Sequence, residues 1–223
     1  MIKICHMADV HFRGLSRHNE FKQSFNDAFR KLEKLKPDVI LIAGDIVHSK
    51  TQGISPELIS VLTWWFKSLG DIAETHVTLG NHDGLMMNAD REDAITPIIR
   101  AINHPRIHLH KKSGTVKLTD GYNLNVFSCF DEAGWKDVTP VPGEINIATF
   151  HGPVAGSKTD DDWPIEGEIG IEFFKQFDFT MLGDIHKRQF LDWRICETII
   201  DEKDLHGYPD AEILEVIDDD TDE

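Results

Sequence analysis

Cysteine is scarce in this 223-residue chain: Cys5, Cys129 and Cys196 are the only three, far apart and with no CxxC pair. That excludes a disulfide framework and a thiolate zinc site, and it fits a reducing compartment. Long hydrophobic runs are missing as well, none approaching the roughly 20 residues of a membrane helix. The opening MIKICHMADV is broken by His6 and Asp9 and does not read as a secretory signal. Internal repeats and Gly/Ser linkers are absent. At about 100–200 residues per domain, one main domain is expected, over residues 1–192, followed by an atypical acidic segment over 193–223, partly disordered.

Positive charge is also short: 23 Lys+Arg against 39 Asp+Glu give a net charge of -16. Taken whole, that disfavours a polyanionic partner. The imbalance is concentrated, however, because residues 201–223 hold eleven acids and one lysine, a net of -10. The rest of the chain is only mildly acidic.

What is present is an alternation of short apolar runs, polar turns and helical periods, which predicts an α/β layered domain. Strands are expected at Ile2 to Ala8, Val39 to Ala43, His76 to Leu79, Leu124 to Phe130, Ile145 to Phe150 and Phe179 to Leu182. Phe21, Phe25, Ala28, Phe29, Leu32 and Leu35 mark one helix, with Asn19 as its expected N-cap and Pro37 as its stop. Ser55-Pro56-Glu57 opens a second, running to Gly70. A third is expected from about Asp90 to Ile102, with Pro97 kinking or shortening it. From Arg106 to Phe130 the period falls towards two, which predicts antiparallel strands, and Gly152 to Gly170 reads as a long loop.

Chemistry gathers where the strands stop. The first run is followed by Asp9-Val10-His11, the second by Gly44-Asp45-Ile46-Val47-His48, and the third by Gly80-Asn81-His82-Asp83. Later ones lead to His151-Gly152 and to Gly183-Asp184-Ile185-His186. In open α/β sheets, groups beyond the carboxyl ends of parallel strands meet in one crevice. Carboxylate and amide oxygens with imidazoles, and no thiolate, suit Mn²⁺, Mg²⁺, Fe or Zn²⁺. Two ions about 3.5–4 Å apart form a clamp for in-line attack at phosphorus, and Asp45 is the candidate bridge between them.

The series DVH, GDIVH, GNHD, HG and GDIH resembles the motif set of the calcineurin-like metallophosphoesterases over about residues 1–190. LIAGDIVHS, a Ser-Pro-started helix and VTLGNHDG are most similar to the nuclease subunit of double-strand-break repair complexes, bacterial SbcD-type and phage recombination endonucleases included. The resemblance implies a β-sandwich of mixed sheets flanked by helices. It implies Asp9, His11 and His186 on one metal, Asn81 and His151 on the other, and Asp45 between. Asp184 stands where the family pattern has a histidine, and an aspartate there can still ligate. His82 resembles the residue that helps the leaving oxygen gain a proton, His48 a second histidine near the scissile phosphate. Asp83 either orients His82 or caps a turn. Further implications are hydrolysis of DNA as exonuclease and single-strand endonuclease, Mn²⁺ as the first choice of metal, and an SMC-like coiled-coil ATPase partner. A homodimer and a cytoplasmic location in a prokaryotic or phage-infected cell complete the expectation. The same metal site on a small phosphomonoester or cyclic nucleotide, or a non-catalytic DNA-binding subunit, is the alternative.

For a DNA path, Arg13, Arg17, Lys50, Lys158, Lys187 and Arg188 are the candidate phosphate contacts, while Lys111-Lys112 reads as ordinary surface. Trp135 and Trp163 lie in expected loops, where they either stack on bases or anchor the loop. His108 and His110 share one strand face.

Overall fold

A computed structural model describes residues 2–48, 54–88, 91–159, 161–186, 189, 191, 195–196 and 212–214. Most of the acidic segment, with its expected partial disorder, and Lys50, Lys187 and Arg188 lie outside the described residues.

The chain begins with β1 (Lys3–Met7), α1 (His18–Leu35), β2 (Val39–Ala43), α2 (Pro56–Ile72), β3 (Glu74–Thr78), α3 (Thr96–Ile102) and β4 (Ile107–His110). It continues with β5 (Gly114–Thr119), β6 (Tyr122–Phe127), β7 (Ile145–His151), β8 (Phe179–Gly183), β9 (Ile195–Cys196) and β10 (Glu212–Leu214). Two five-stranded sheets result, ordered β10-β1-β2-β3-β4 and β5-β6-β7-β8-β9. The first is parallel throughout, and the second is mixed, with β5 antiparallel to β6 and the other pairs parallel. Such a layered α/β sandwich with flanking helices is the expected fold class.

Three apolar layers hold it together. Ile2, Ile4, Val39, Leu41, Leu124, Val126, Ile147 and Met181 fill the space between the sheets. The apolar stripes of α1 and α2 cover the other face of the first sheet, where Trp65 and Phe66 are fully buried. Phe150, Phe174 and Phe177 pack on the outer face of the second. Strand β2, VILIA, is buried along its whole length, as a central parallel strand covered on both faces requires.

The helix ends hold both agreement and correction. Ser55 Oγ accepts a bond from the Leu58 amide at 3.0 Å with Pro56 in the first turn, and α2 runs to Ile72, two residues past Gly70. For α1 the cap is Arg17 in a left-handed conformation, not Asn19, which lies inside the helix. The third helix starts at Thr96 rather than Asp90, because Asp93 Oδ1 takes the Ile95 and Thr96 amides at 2.9 and 2.6 Å. Pro97 therefore sits in the first turn, where its missing N–H costs nothing; of the two expected outcomes the helix is the shortened one and is not kinked.

Strand β4 pairs parallel to β3, so only β5 and β6 realise the expected antiparallel run, and β6 ends at Phe127 rather than Phe130. Glu212–Leu214, unassigned in the sequence, adds to the sheet edge beside β1. Among the described residues no helix is long and apolar enough to cross a membrane.

Candidate metal centre

The carboxyl ends of β1, β2 and β3 in one sheet, and of β7 and β8 in the other, meet at one edge of the sandwich. Backbone bonds stitch the loops after β1 and β2 together: Asp9 N to Gly44 O at 3.1 Å, His11 N to Asp45 O at 3.0 Å and His48 N to Phe12 O at 3.0 Å, while Gly152 N to Gly183 O at 3.3 Å joins the ends of β7 and β8. Asp9, His11, Asp45 and Asp184 all have positive φ, at 55, 51, 50 and 76°. Left-handed backbone is unfavourable for residues with a Cβ, and such strain clusters at functional sites. Here the left-handed residues, one or two positions beyond the strand for Asp9, Asp45 and Asp184 and four for His11, point their side chains into the same space.

His151 lies between the sheets, with Nδ1 2.7 Å from Ala43 O. A carbonyl can only accept, so Nδ1 carries the hydrogen and Nε2 faces Asp45 Oδ1 and Asn81 Oδ1, both at 3.3 Å. Glycine is required around this ring. A Cβ on Gly44 would run into His151 Nδ1, and one on Gly80 would run into Asp45 Oδ1 and come within 2.6 Å of His151 Nε2.

Asp45 is the hub. It is 1% exposed, accepts the His82 amide on Oδ1 at 2.7 Å, and has His11 Nε2 and His82 Nε2 each 3.9 Å from Oδ2. Asp9 lies 3.8 Å from His186 Nε2 and 4.0 Å from His11 Nε2, and its carboxylate accepts the Asp184 amide at 2.9 and 3.1 Å. Asp184 Oδ1 is 3.9 Å from His151 Nε2. Three groups have ligand atoms close enough to share an ion: Asp9, His11 and His186; His11, Asp45 and His82; Asp9, Asp45 and His151. All seven expected metal ligands thus stand around one space.

The electrostatics match a cation site. Burial pulls His151 down, but its contact with Asp45 and the charges of Asp9 and Asp184 overcome this and raise its pKa to about 9. Burial raises Asp9 to about 6. The pKa of Asp45 is lowered, because His151 and the His82 amide outweigh the effect of burial. Carboxylates that draw a proton onto a buried imidazole would draw a divalent cation into the same field. Burial, reinforced by His186, His82 and His48, holds His11 near 4, so it is neutral and able to ligate. The donor set is oxygen and imidazole nitrogen, suited to Mn²⁺, Mg²⁺, Fe or Zn²⁺, so the residues fit a pair of divalent ions.

His82 and His48 stand at the rim. Their rings lie 5.0 and 5.7 Å from that of His11, and His82 Nδ1 donates to His48 O at 2.6 Å. Asp83 is fully buried and accepts from the Gly80 and Val47 amides at 2.8 and 3.0 Å, strapping the second and third loops together. Its bonds are those of the turn-capping alternative, while His82's ring is held by the His48 carbonyl. Burial raises Asp83 to about 7.

Sequence spacing did not reveal the grouping of His82 with His11 and Asp45, which depends on the Asp45–His82 amide bond. Of the two loop tryptophans, Trp135 is packed beside Phe150 while Trp163 is 72% exposed. Lys111 is paired with Asp93 at 2.7 Å, in line with an ordinary surface role.

The family model described as calcineurin-like phosphoesterase matches residues 2–196. An uncharacterized protein of Acanthamoeba polyphaga mimivirus is 35% identical over 205 residues, covering 84% of this chain. The chain spans only 15% of that relative's length. Among solved structures, the nuclease MPE of Pseudomonas putida aligns with a TM-score of 0.38 and 16% identity, over 71% of this chain and 65% of its own.

Proposed function

The chain belongs to the calcineurin-like phosphoesterase family, and within that family we propose that it is a two-metal DNA phosphodiesterase, acting on strand ends and single strands in recombination, repair or replication. The observation that carries this reading is the pair His82 and His48 on an open rim above the carboxylate cluster, with His82 41% exposed. The motifs LIAGDIVHS and VTLGNHDG, which resemble those of repair nucleases, support DNA as the substrate.

In this reading Asp9, His11 and His186 would hold one ion, Asn81, His151 and Asp184 the other, and Asp45 would serve both, with Mn²⁺ preferred. When bound, the ions supply Lewis-acid polarisation of the phosphodiester and activation of the attacking water.

The protein's own groups do the rest. His82 has its Nδ1 hydrogen committed to His48 O, which leaves Nε2 to carry the mobile proton. That nitrogen hands its proton to the departing sugar oxygen, the general-acid work an imidazole commonly does. His48 contacts the phosphate beside it. Asp83 keeps the loops of His48 and His82 in register. The coiled-coil ATPase partner belongs to the same proposal.

The test is a divalent-metal screen on a linear duplex and a single-stranded circle, with Asp45→Asn and His82→Ala alongside. Hydrolysis strongest in Mn²⁺ and abolished by Asp45→Asn is expected. Equal residual hydrolysis by wild type and Asp45→Asn in every metal would overturn the enzyme reading. Cleavage of nucleotide monoesters or cyclic nucleotides in preference to DNA would move it to a small-molecule phosphoesterase.

A further inference from the structure

Beside the metal centre lies a cavity of about 320 Å³ that the phosphodiesterase chemistry does not use. Asn81, His151 and Asp184 form one wall, so whatever enters it touches the ligand cluster. Trp135, Phe150, Ile169 and Met86 give it an apolar body.

This body is preformed. Trp135 Nε1 donates to Ser128 O at 2.8 Å, and its ring meets Phe150 edge to face at 5.5 Å and 83°. The turn that carries Trp135 is tied to the β4–β5 connection by Asp131, which accepts the Ser113 amide at 2.9 Å. On the far side the Ala155 amide holds Ile169 O at 2.7 Å. Gly152 leaves room for the buried Phe150 ring, because a Cβ there would come within 2.8 Å of Phe150 Cζ.

The mouth decides the occupant. Its charged lining residues are Glu132, Glu168 and Asp184, with His151, and no lysine or arginine lines it among the described residues. A phosphate is therefore repelled, while a neutral flat ring with N–H donors is welcomed by both the aromatic wall and the carboxylates. Cys129, also in the wall, is no nucleophile, since burial pushes its thiol up to about 12.

We propose that this cavity is a nucleobase subsite, in which Trp135, backed by the buried Phe150, receives the base of the nucleotide whose phosphate lies at the metal centre. The proposal rests on the phosphodiesterase reading and narrows it to substrates whose reacting nucleotide is unpaired. A strand end and a free nucleotide share this chemistry.

Two measurements test it. The first is calorimetric binding of AMP and of ribose 5-phosphate in Mn²⁺ to wild type, Trp135→Ala, Trp135→Phe and Met86→Trp, a surface change that obstructs the cavity without opening the core. Base stacking corresponds to roughly tenfold or more in affinity, so AMP should bind about tenfold more tightly than ribose 5-phosphate to wild type. The difference should vanish in Trp135→Ala and Met86→Trp and persist in Trp135→Phe. Equal affinity of the two ligands for wild type would overturn the proposal, as would an AMP preference untouched by Met86→Trp.

The second compares cleavage of a single-stranded oligonucleotide with that of the same strand abasic at its terminal nucleotide. A loss of about tenfold on the abasic strand assigns the pocket to strand ends, and a loss confined to mononucleotide binding assigns it to free nucleotides. Failure to hydrolyse bis(4-nitrophenyl) phosphate with any divalent metal would sink the phosphodiesterase reading instead, with the binding comparison still deciding the pocket.

Discussion

Two groups of histidines sit on the first sheet, and they differ in what surrounds them. At the carboxyl ends of the strands, His11 approaches Asp9 and Asp45, His82 approaches Asp45, and His48 stands beside the rings of both. At the β3–β4 edge, His76 stacks on His110 with its Nδ1 2.9 Å from His110 Nε2, and lies 4.9 Å from the ring of His108. His108 in turn bonds Glu74 at 2.7 Å. Burial lowers the imidazoles of both, His11 to about 4, His76 to about 3 and His110 to about 4. Only the first group has a buried carboxylate, Asp45, with the partly buried Asp9 beside it, and left-handed turns aiming both. Proximity of imidazoles thus follows from ordinary strand packing. A cation site additionally needs concentrated negative charge held against its own repulsion.

The largest expected difference between the groups is in turnover. Asp45→Asn should lower Mn²⁺-dependent hydrolysis by at least about 100-fold. It should also remove the thermal stabilisation by Mn²⁺, about 2.7 kcal/mol at one hundred times Kd. A Mn²⁺-dependent melting shift that survives in Asp45→Asn would erase the contrast. His82→Ala comes next, with kcat down by about 10²–10⁴-fold and metal affinity nearly unchanged. Weakened Mn²⁺ binding would make His82 a ligand instead, as its grouping with His11 and Asp45 allows.

The edge cluster is expected to reveal itself in stability. His76 holds its proton at about pH 3 in the fold against about 6.5 in the unfolded chain. As pH falls through 6.5 the unfolded state takes up the proton first. The stability tied to neutral His76 is therefore complete above that value and drains away towards pH 3. His76→Gln should flatten denaturation midpoints below pH 6.5 by up to about 1.4 kcal/mol per pH unit. Unchanged pH dependence would refute the assignment. The smallest effect is that of His110→Ala on hydrolysis, expected within about twofold; a large loss would mean that the two groups are functionally coupled.

The contrast also explains what the sequence could reveal. Strand-end motifs such as GDIVH and GNHD were legible because a glycine followed by a metal-binding type is a local signal, and parallel strands bring such signals together. The start of α3 was not, since it depends on Asp93 taking two amides that a helical period alone does not mark. Neither was the direction of β4, because IHLH has the same period in either orientation. The stacking of His76 on His110 likewise follows only from β4 lying beside β3. Asp83 kept two readings open in the sequence, and its bonds to Gly80 and Val47 are a property of the assembled loops.

The positive φ of Asp9, Asp45 and Asp184 narrows what evolution can place there. A saturation library at these codons, sorted for folded protein alone, should return glycine and asparagine alongside the parent, since both accept that handedness. Glutamate should be rare even though it keeps the charge. Sorting the same library for hydrolysis would then leave aspartate, so the shape of the chain and the demands of the reaction can be separated at the level of single codons.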